Sequence, residues 1–200
     1  MTNSSARFLI VGPQGSGKGT QGVRIADAFG IPVVSTGDIF RANIKQGTDL
    51  GKKVQAITAA GDLVSDELTG ELVSDRLSQE DASGGFLLDG YPRNRAQVGH
   101  LDEILSGQGV ALDAVIALDV PREESISRIA LRAQEQGRED DTPEAIAHRL
   151  DIYERETAPI LAVYEERGVV DTIDGVGTLD EITERIFAAL AARGLAPVAV

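Results

Sequence analysis

The chain has 200 residues, of which 42% are hydrophobic, so it is long enough for one well-buried core and short for two independent domains. It contains no cysteine, which excludes disulfides and thiolate zinc sites, and its net charge of −13 argues against a general nucleic-acid or anionic-membrane surface. No leader-like segment or stretch of membrane-spanning length is evident, so we expect a cytoplasmic protein, and the lack of an exposed apolar stripe favours a monomer.

The cations are mostly arginine, with 15 arginines against 4 lysines. A guanidinium pairs with two phosphate oxygens at once, whereas an ammonium acts as a hydrated point charge. An acidic protein that retains so many arginines could gather them in one anion site. A codon usage that favours arginine is the alternative, and composition alone does not decide between the two.

Apolar runs of strand length alternate with segments of helical length along the chain. The runs cover residues 7–12, 31–35, 85–90, 113–120 and 169–174. Because they are apolar throughout, they predict strands buried on both faces, and the alternation with helices predicts an α/β fold with a doubly wound, five-stranded parallel sheet. Ligands of such sheets bind beyond the carboxyl ends of the strands, where the glycine-rich stretches "GPQGSGKGT", "STGD", "DGYPR" and "DGVG" fall.

The stretch "GPQGSGKGT", residues 12–20, lies between a predicted strand and a predicted helix. Its backbone N–H groups should converge at the positive end of that helix, and Lys18 adds a charge that reaches outer phosphates. The spacing matches a phosphate-binding loop with one departure, since Gly19 follows the lysine and the expected hydroxyl comes one place later, at Thr20. The loop therefore predicts a nucleotide phosphate site, with direct magnesium contact by the hydroxyl left open.

A long helix is predicted near the carboxyl end. Thr142 or Asp141 caps it, Pro143 takes the first position, and Pro159 kinks it. Residues at helical spacing should face the core, namely Ile146, Leu150, Tyr153, Thr157, Ile160 and Tyr164.

Three further stretches follow the glycine loop in a characteristic order: "STGDIFR" (35–41), "LLDGYPRNRAQ" (87–97) and "GREDDT" (137–142). Together with the loop they resemble the adenylate kinases, within the nucleoside monophosphate kinases. The resemblance covers about residues 7–193, and Gln14 and Tyr91 are mild substitutions in its two most specific motifs.

The resemblance implies a P-loop NTPase-like kinase domain over residues 1–200, with a mobile monophosphate-binding arm at 35–64 and a short lid at 131–141. The lid has no room for the small subdomain that long-lid relatives insert, and no zinc is expected. The implied reaction is reversible transfer of the terminal phosphoryl group of MgATP to AMP, which gives two ADP and balances the adenine nucleotides. The expected partners are therefore ATP, AMP and ADP.

The resemblance also implies residues for each part of the site. ATP is assigned to Gly15, Ser16, Gly17, Lys18, Gly19, Thr20, Arg132 and Gly177. AMP is assigned to Thr36, Arg41, Asp62, Leu63, Val64, Gly90, Tyr91, Pro92, Arg93, Gln97, Arg138 and Arg149. The catalytic cations around the transferred phosphoryl group are Lys18, Arg93, Arg132, Arg138 and Arg149. Magnesium is assigned, through water, to Thr20 and Asp89.

The choice of acceptor depends on two of these residues. Gln97 can pair with the adenine edge, because a side-chain amide both donates and accepts hydrogen bonds. In relatives that take UMP or CMP, Asn tends to replace the residue corresponding to Gln97, and Ala the one corresponding to Thr36. Adenine is therefore favoured over the alternative, a UMP/CMP kinase.

Other interpretations stay open for several charged residues. Arg128 and Arg132 lie one helical turn apart and share a face, which is either solvated with glutamate partners or a phosphate clamp. Arg138 belongs to a surface ion-pair cluster or to a closing lid, and Asp89 is a strand-end carboxylate or orients magnesium.

A nucleotide-binding switch without turnover is the alternative from another functional class, although it would have no use for "DGYPR" and the lid arginines. His100 and His148 are assigned to surface structure, because no nucleophile or carboxylate lies at a suggestive spacing from either.

Overall fold

The computed structural model describes residues 6–136 and 142–198, with side chains except at 134–136. Within these residues, five strands form one parallel sheet in the order β2-β3-β1-β4-β5. The strands are β1 Ala6–Val11, β2 Val33–Ser35, β3 Gly85–Asp89, β4 Ala114–Asp119 and β5 Val170–Asp174. The predicted α/β class and the five-stranded parallel sheet are confirmed.

Helices connect the strands and cover the sheet. They are α1 Lys18–Phe29, α2 Thr36–Gln46, α3 Asp49–Ala60, α4 Asp66–Leu77, α5 Arg95–Gly107, α6 Arg122–Gln136, α7 Pro143–Ile152, α8 Ile160–Glu166 and α9 Leu179–Ala192. A 3₁₀ turn at Glu80–Ala82 precedes β3. In the part of the chain described, none of the helices combines the length and the apolar character needed to cross a membrane.

The core lies on both faces of the sheet because successive strand residues point in opposite directions. Leu9 and Leu88 pack against α4, α5 and α8, whereas Phe8 and Leu87 pack against α1 and α9. All four side chains are fully buried. This two-sided burial explains why the strands appear in the sequence as continuous apolar runs.

The predicted long helix is interrupted. Thr142 caps it and Pro143 opens it, as predicted. Before Pro159, however, the backbone widens into a π-helical turn at Tyr153–Thr157, where the Ala158 N–H donates to the Tyr153 carbonyl at 2.8 Å. The predicted core-facing residues Ile146, Leu150, Thr157, Ile160 and Tyr164 are buried, and Tyr153 is partly buried.

The helices α2 and α3 form a smaller unit beside the sheet. Phe40, Val54 and Val64 are buried in a cluster of their own. We call residues 35–64 the arm and these three residues the arm cluster. The arm thus has apolar packing of its own, which Leu68 and Leu72 of α4 complete, while Ile39 of the arm packs against a cluster that covers the sheet.

Candidate active site

A cleft of about 250 Å³ opens beyond the carboxyl ends of β1, β2 and β3, where the sheet rule predicts a ligand site. The glycine loop, the arm, the loop after β3 and the helices α6 and α7 all contribute to its walls. Among the predicted site residues, those lining it are Lys18, Gly19, Thr36, Arg41, Asp62, Leu63, Val64, Asp89, Gly90, Pro92, Arg93, Gln97, Arg132 and Arg149.

Other predicted residues lie outside the cleft lining. Gly15, Ser16 and Gly17 form the turn of the glycine loop. Thr20 and Gly177 are exposed. Of the predicted lid at 131–141, residues 137–141 with Arg138 lie outside the described residues.

Tyr91 is the clearest departure from the predicted site. Its ring is only 2% exposed, and its hydroxyl lies 2.8 Å from His100 Nδ1. Burial raises the pKa of the Tyr91 phenol, so the group stays neutral. The side chain therefore anchors the loop after β3 to α5 and does not face the cleft, and His100 is half-buried rather than free on the surface.

The glycine loop ends at the start of α1 with no side-chain cap. Ser, Thr or Asn side chains cap α2, α3, α4, α5, α7 and α9, whereas α1 begins at Gly17 with φ 87° and no capping side chain. Gly15 also has a positive φ of 81°, and a Cβ there would lie 2.5 Å from the Ser125 carbonyl oxygen. The loop is therefore held against α6, and the first N–H groups of α1 are left without a side-chain cap.

Cations gather in this cleft, and in the described part of the chain its lining includes Lys18, Arg41, Arg93, Arg132 and Arg149. Burial lowers the pKa of Lys18, and the nearby Arg93, Arg132 and Arg41 lower it further, while the Asp89 carboxylate opposes them. Burial also lowers the pKa of Arg93. Like charges held together in a partly buried space favour binding of a polyanion that compensates them.

The loop after β3 fixes the position of Arg93. Arg93 Nε donates to the Gly90 carbonyl at 2.8 Å, and Thr36 Oγ1 donates to the same oxygen at 3.0 Å. Gly90 has φ 83°, and a Cβ there would lie 2.8 Å from Thr36 Oγ1. Thr157 Oγ1 donates to the Arg93 carbonyl at 2.8 Å. Thr157 was predicted only as a core-facing residue, and its role beside Arg93 leaves no signal in the sequence.

The arm touches α7 through polar groups. His148 Nε2 lies 2.6 Å from Asp62 Oδ1, and Arg149 Nη2 donates to the Thr58 carbonyl at 2.6 Å. His148 was assigned to surface structure because no carboxylate lies at a suggestive spacing from it in sequence, and its side chain is 44% exposed in this pair. Asp62 is distant in sequence, and only the packing of the end of α3 on α7 brings the two together.

Gln97 forms part of the cleft wall and is 2% exposed. Its Oε1 accepts the Arg93 backbone N–H at 2.8 Å, and its Nε2 donates to Asp66 Oδ1 at 2.8 Å. Asn94 Nδ2 donates to the same Asp66 oxygen at 2.8 Å. Sequence reasoning missed Asp66, because nothing in its local pattern connects it with Gln97.

Arg128 has the glutamate partner expected on one interpretation, and it also binds two backbone carbonyls. Its Nε pairs with Glu124 at 2.7 Å, while Nη1 donates to the Ser16 carbonyl at 3.3 Å and Nη2 to the Gly175 carbonyl at 2.9 Å. The residue thus joins the glycine loop to the loop that carries Gly177. The feature of the sequence that pointed to Arg128 was its spacing of one helical turn from Arg132.

Comparison with known families matches most of this chain. The family model for adenylate kinase matches residues 10–169. The chain belongs to the adenylate kinase family.

Individual adenylate kinases align with this chain over nearly their full length. That of Kocuria rhizophila is 59% identical over 92% of this chain and 98% of its own length. That of Leifsonia xyli is 57% identical over 96% of each chain. The adenylate kinase of Thermobifida fusca is 53% identical over 94% of this chain and 99% of its own length. The resemblance drawn from the motifs is confirmed, as is the P-loop NTPase-like fold.

The surroundings of Asp89 fit the divalent cation that accompanies ATP in this family. Asp89 ends β3, is 8% exposed, and its buried Oδ1 has no hydrogen-bond partner among the described residues. A Cβ on Gly19 would lie 3.9 Å from Asp89 Oδ2, so the carboxylate faces the start of α1, where Lys18 and Thr20 lie. No group of three acidic or histidine side chains in the described ranges could hold a metal. One carboxylate suits Mg²⁺ bound mainly by water and phosphate oxygens.

Proposed function

We propose that this chain transfers the terminal phosphoryl group of ATP to AMP, reversibly, to give two ADP. The observation that carries the proposal is the group of cations from the glycine loop, the arm, the loop after β3, α6 and α7 that line one cleft. A single nucleotide needs one phosphate site. Cations contributed from both sides of a cleft suit two polyanions held end to end.

The ATP half uses the glycine loop. The uncapped N–H groups at the start of α1 hold the phosphates, with Lys18 and Arg132 beside them. Gly15, Ser16, Gly17, Gly19 and Thr20 form this cradle. Arg128 holds the loop after β5 next to it, so that the Gly177 backbone reaches the nucleoside.

The AMP half uses the arm and the loop after β3. Thr36 and the chain at 62–64 hold the nucleoside, and Gln97 pairs with the base edge. Arg41 and Arg93 bind the phosphate, and Gly90 and Pro92 let the loop approach it closely.

Catalysis depends on position and charge. An oxygen of the ionised AMP phosphate attacks the terminal phosphorus of ATP while the bond to the bridging oxygen of ADP breaks, so no general base is required. Lys18, Arg93, Arg132 and Arg149, with Arg138 from the lid, compensate the charge of the transferred group. Loss of one such donor typically costs about 3 kcal/mol of transition-state stabilisation.

Magnesium would be held by Asp89 and Thr20 through water. When bound, it neutralises charge on the phosphate oxygens of ATP. The residues of this chain place one buried carboxylate beside the phosphate cradle and leave the other ligand positions to water and nucleotide.

Water would compete with AMP as acceptor, so the site closes before transfer. We propose that the arm at 35–64 and the short lid at 131–141 move over the nucleotides. We further propose that the enzyme works as a monomer in the cytoplasm.

The test is ADP formation by the purified chain from ATP and AMP in a coupled assay. We expect two ADP for each AMP consumed, loss of turnover when magnesium is chelated, and at least tenfold slower turnover with UMP or CMP. Preference for a pyrimidine acceptor would replace the proposal with a UMP/CMP kinase. ATP binding without ADP formation would replace it with a nucleotide-binding switch.

The two-site arrangement has its own test. A compound with two adenosines joined by five phosphates should bind one per chain and compete with both ATP and AMP. Competition with ATP alone would contradict the second site.

A further inference from the structure

The side-chain amide of Gln97 is held from two sides. The Arg93 backbone N–H can only donate, so the Gln97 atom 2.8 Å from it must be the oxygen. The Asp66 carboxylate accepts, so the Gln97 atom 2.8 Å from Asp66 Oδ1 must be the nitrogen. Both neighbours require the same orientation of the amide. Gln97 is 2% exposed, so solvent offers little competition for these hydrogen bonds.

Asp66 is itself held in place. It is the first residue of α4, directly after the arm, and its Oδ1 also accepts Asn94 Nδ2 at 2.8 Å. Asn94 in turn caps α5 by accepting the Gln97 backbone N–H at 2.9 Å. Asp66, Asn94 and Gln97 therefore form a closed set of hydrogen bonds that joins α4 to α5.

We propose that Asp66 is a specificity-determining positioning residue, which fixes the Gln97 amide so that the cleft accepts a 6-aminopurine monophosphate and rejects a 6-oxopurine monophosphate. The inference rests on the proposed function, in which Gln97 pairs with the acceptor base. Asp66 does not touch the base in this account. It acts through the orientation of Gln97.

The preference for one base follows from the hydrogen-bonding groups that the fixed Gln97 amide leaves unused. Gln97 keeps one lone pair on Oε1 and one N–H on Nε2. Adenine offers a 6-amino donor and an N1 acceptor, which match these two groups. A 6-oxopurine offers an O6 acceptor and an N1–H donor, which place oxygen against oxygen and N–H against N–H. To bind a 6-oxopurine, the Gln97 amide must rotate by about 180°. Its oxygen would then face the Asp66 carboxylate, which cannot donate a hydrogen bond.

The experiment compares AMP with IMP, because the two differ only in this donor and acceptor pair. The readout is the ratio of kcat/KM for AMP to that for IMP in the coupled assay. A complementary pair of hydrogen bonds to a base edge commonly gives discrimination of about 5-fold to 150-fold. We expect Asp66→Ala to lower the ratio about tenfold, mainly through better use of IMP.

Two further variants separate orientation from structural support. Asp66→Asn can keep an acceptor oxygen at the same place, because the Asn94 Nδ2 that donates there selects the amide oxygen over the amide nitrogen, and it should retain more of the ratio than Asp66→Ala. Glu67→Ala removes an exposed acid from the same first turn of α4 and should leave the ratio unchanged. If Asp66→Ala does not fold, Asp66→Ser takes its place, since a hydroxyl donates as well as accepts and so permits both amide orientations.

The outcomes are distinct. An unchanged AMP to IMP ratio in the folded Asp66→Ala variant, or an equal loss with both acceptors, would overturn the inference. So would an equal change in the ratio with Asn and with Ala. Failure of the unmodified chain to phosphorylate AMP would instead overturn the proposed function.

Discussion

The sheet core and the arm are stabilised in different ways. The sheet is covered on both faces by large apolar clusters, whereas the arm cluster has Phe40, Val54 and Val64 as its buried members. The polar contacts of the arm with α7 use partly exposed groups, since the side chains of His148 and Asp62 are 44% and 54% exposed. Exposed pairs of this kind contribute about 0–1 kcal/mol. We therefore expect the arm to shift at a lower cost in free energy than the sheet.

This difference suits the opening and closing that we propose for the site. Arg93 and Gln97 lie on the loop and helix after β3, which are anchored to the core. Thr36, Arg41 and the chain at 62–64 lie on the arm. Closing the arm would bring its groups onto a fixed part of the site.

The largest expected effect is on turnover. Arg93→Ala should lower kcat about a hundredfold or more, because a fixed donor to the transferred phosphoryl group is lost. Arg41→Ala should mainly raise the KM for AMP, because Arg41 lies on the arm and is paired with Asp38 at 2.6 Å. The coupled assay gives both constants.

Arg95→Ala, which removes an exposed arginine, is the control for the Arg93 and Arg41 variants. Circular dichroism checks that each variant is folded. Near-normal turnover of Arg93→Ala would contradict its role in the site. A loss of kcat in Arg41→Ala as large as in Arg93→Ala would remove the distinction between fixed and mobile cations.

The next effect is on stability. Leu88→Ala in the sheet should lower the free energy of unfolding by about 2–5 kcal/mol, because the Leu88 side chain on β3 is 0% exposed beneath the neighbouring helices. Val54→Ala in the arm cluster should cost less globally and increase hydrogen exchange in α2 and α3. Urea titration and amide exchange measure the two quantities. Equal exchange increases throughout the sheet in Val54→Ala would show that arm and core unfold as one unit.

A smaller effect is expected at the contact between the arm and α7. Asp62→Ala and His148→Ala should each raise the KM for AMP a few-fold at unchanged kcat, because the arm loses a contact with α7 at 2.6 Å. A double-mutant cycle on KM measures the coupling, which we expect at about 0.5–1 kcal/mol. Additive effects of the two changes would show that the pair does not hold the arm.

The smallest effect is expected on the pH dependence of stability. It concerns the capping box at the start of α9, a helix that covers the sheet. Hydrogen bonds from the Thr178 backbone N–H and hydroxyl lower the pKa of Glu181. A lowered folded-state pKa means stability that is present above the unfolded-state pKa and lost as the pH falls through the folded-state value. Glu181→Gln should therefore flatten the acid limb of a plot of Tm against pH. An unchanged acid limb would show that other carboxylates dominate it.

Much of the site was predictable because its elements are local in sequence. The glycine loop and the "DGYPR" loop place glycines where positive φ and close approach require them, at Gly15, Gly17 and Gly90. Such requirements act on single positions, so they leave motifs. The direction of the Tyr91 side chain did not follow from its motif, because its partner His100 lies on the next helix.

The sequence by itself determined the fold, the phosphate loop and the family, since strand burial and backbone turns impose patterns on consecutive residues. Only the tertiary structure decided which groups support the site. Asp66 meets Gln97, and Asp62 meets His148, across long stretches of chain. A hydrogen bond between distant residues constrains two positions and nothing between them, so a single sequence carries no trace of the pairing.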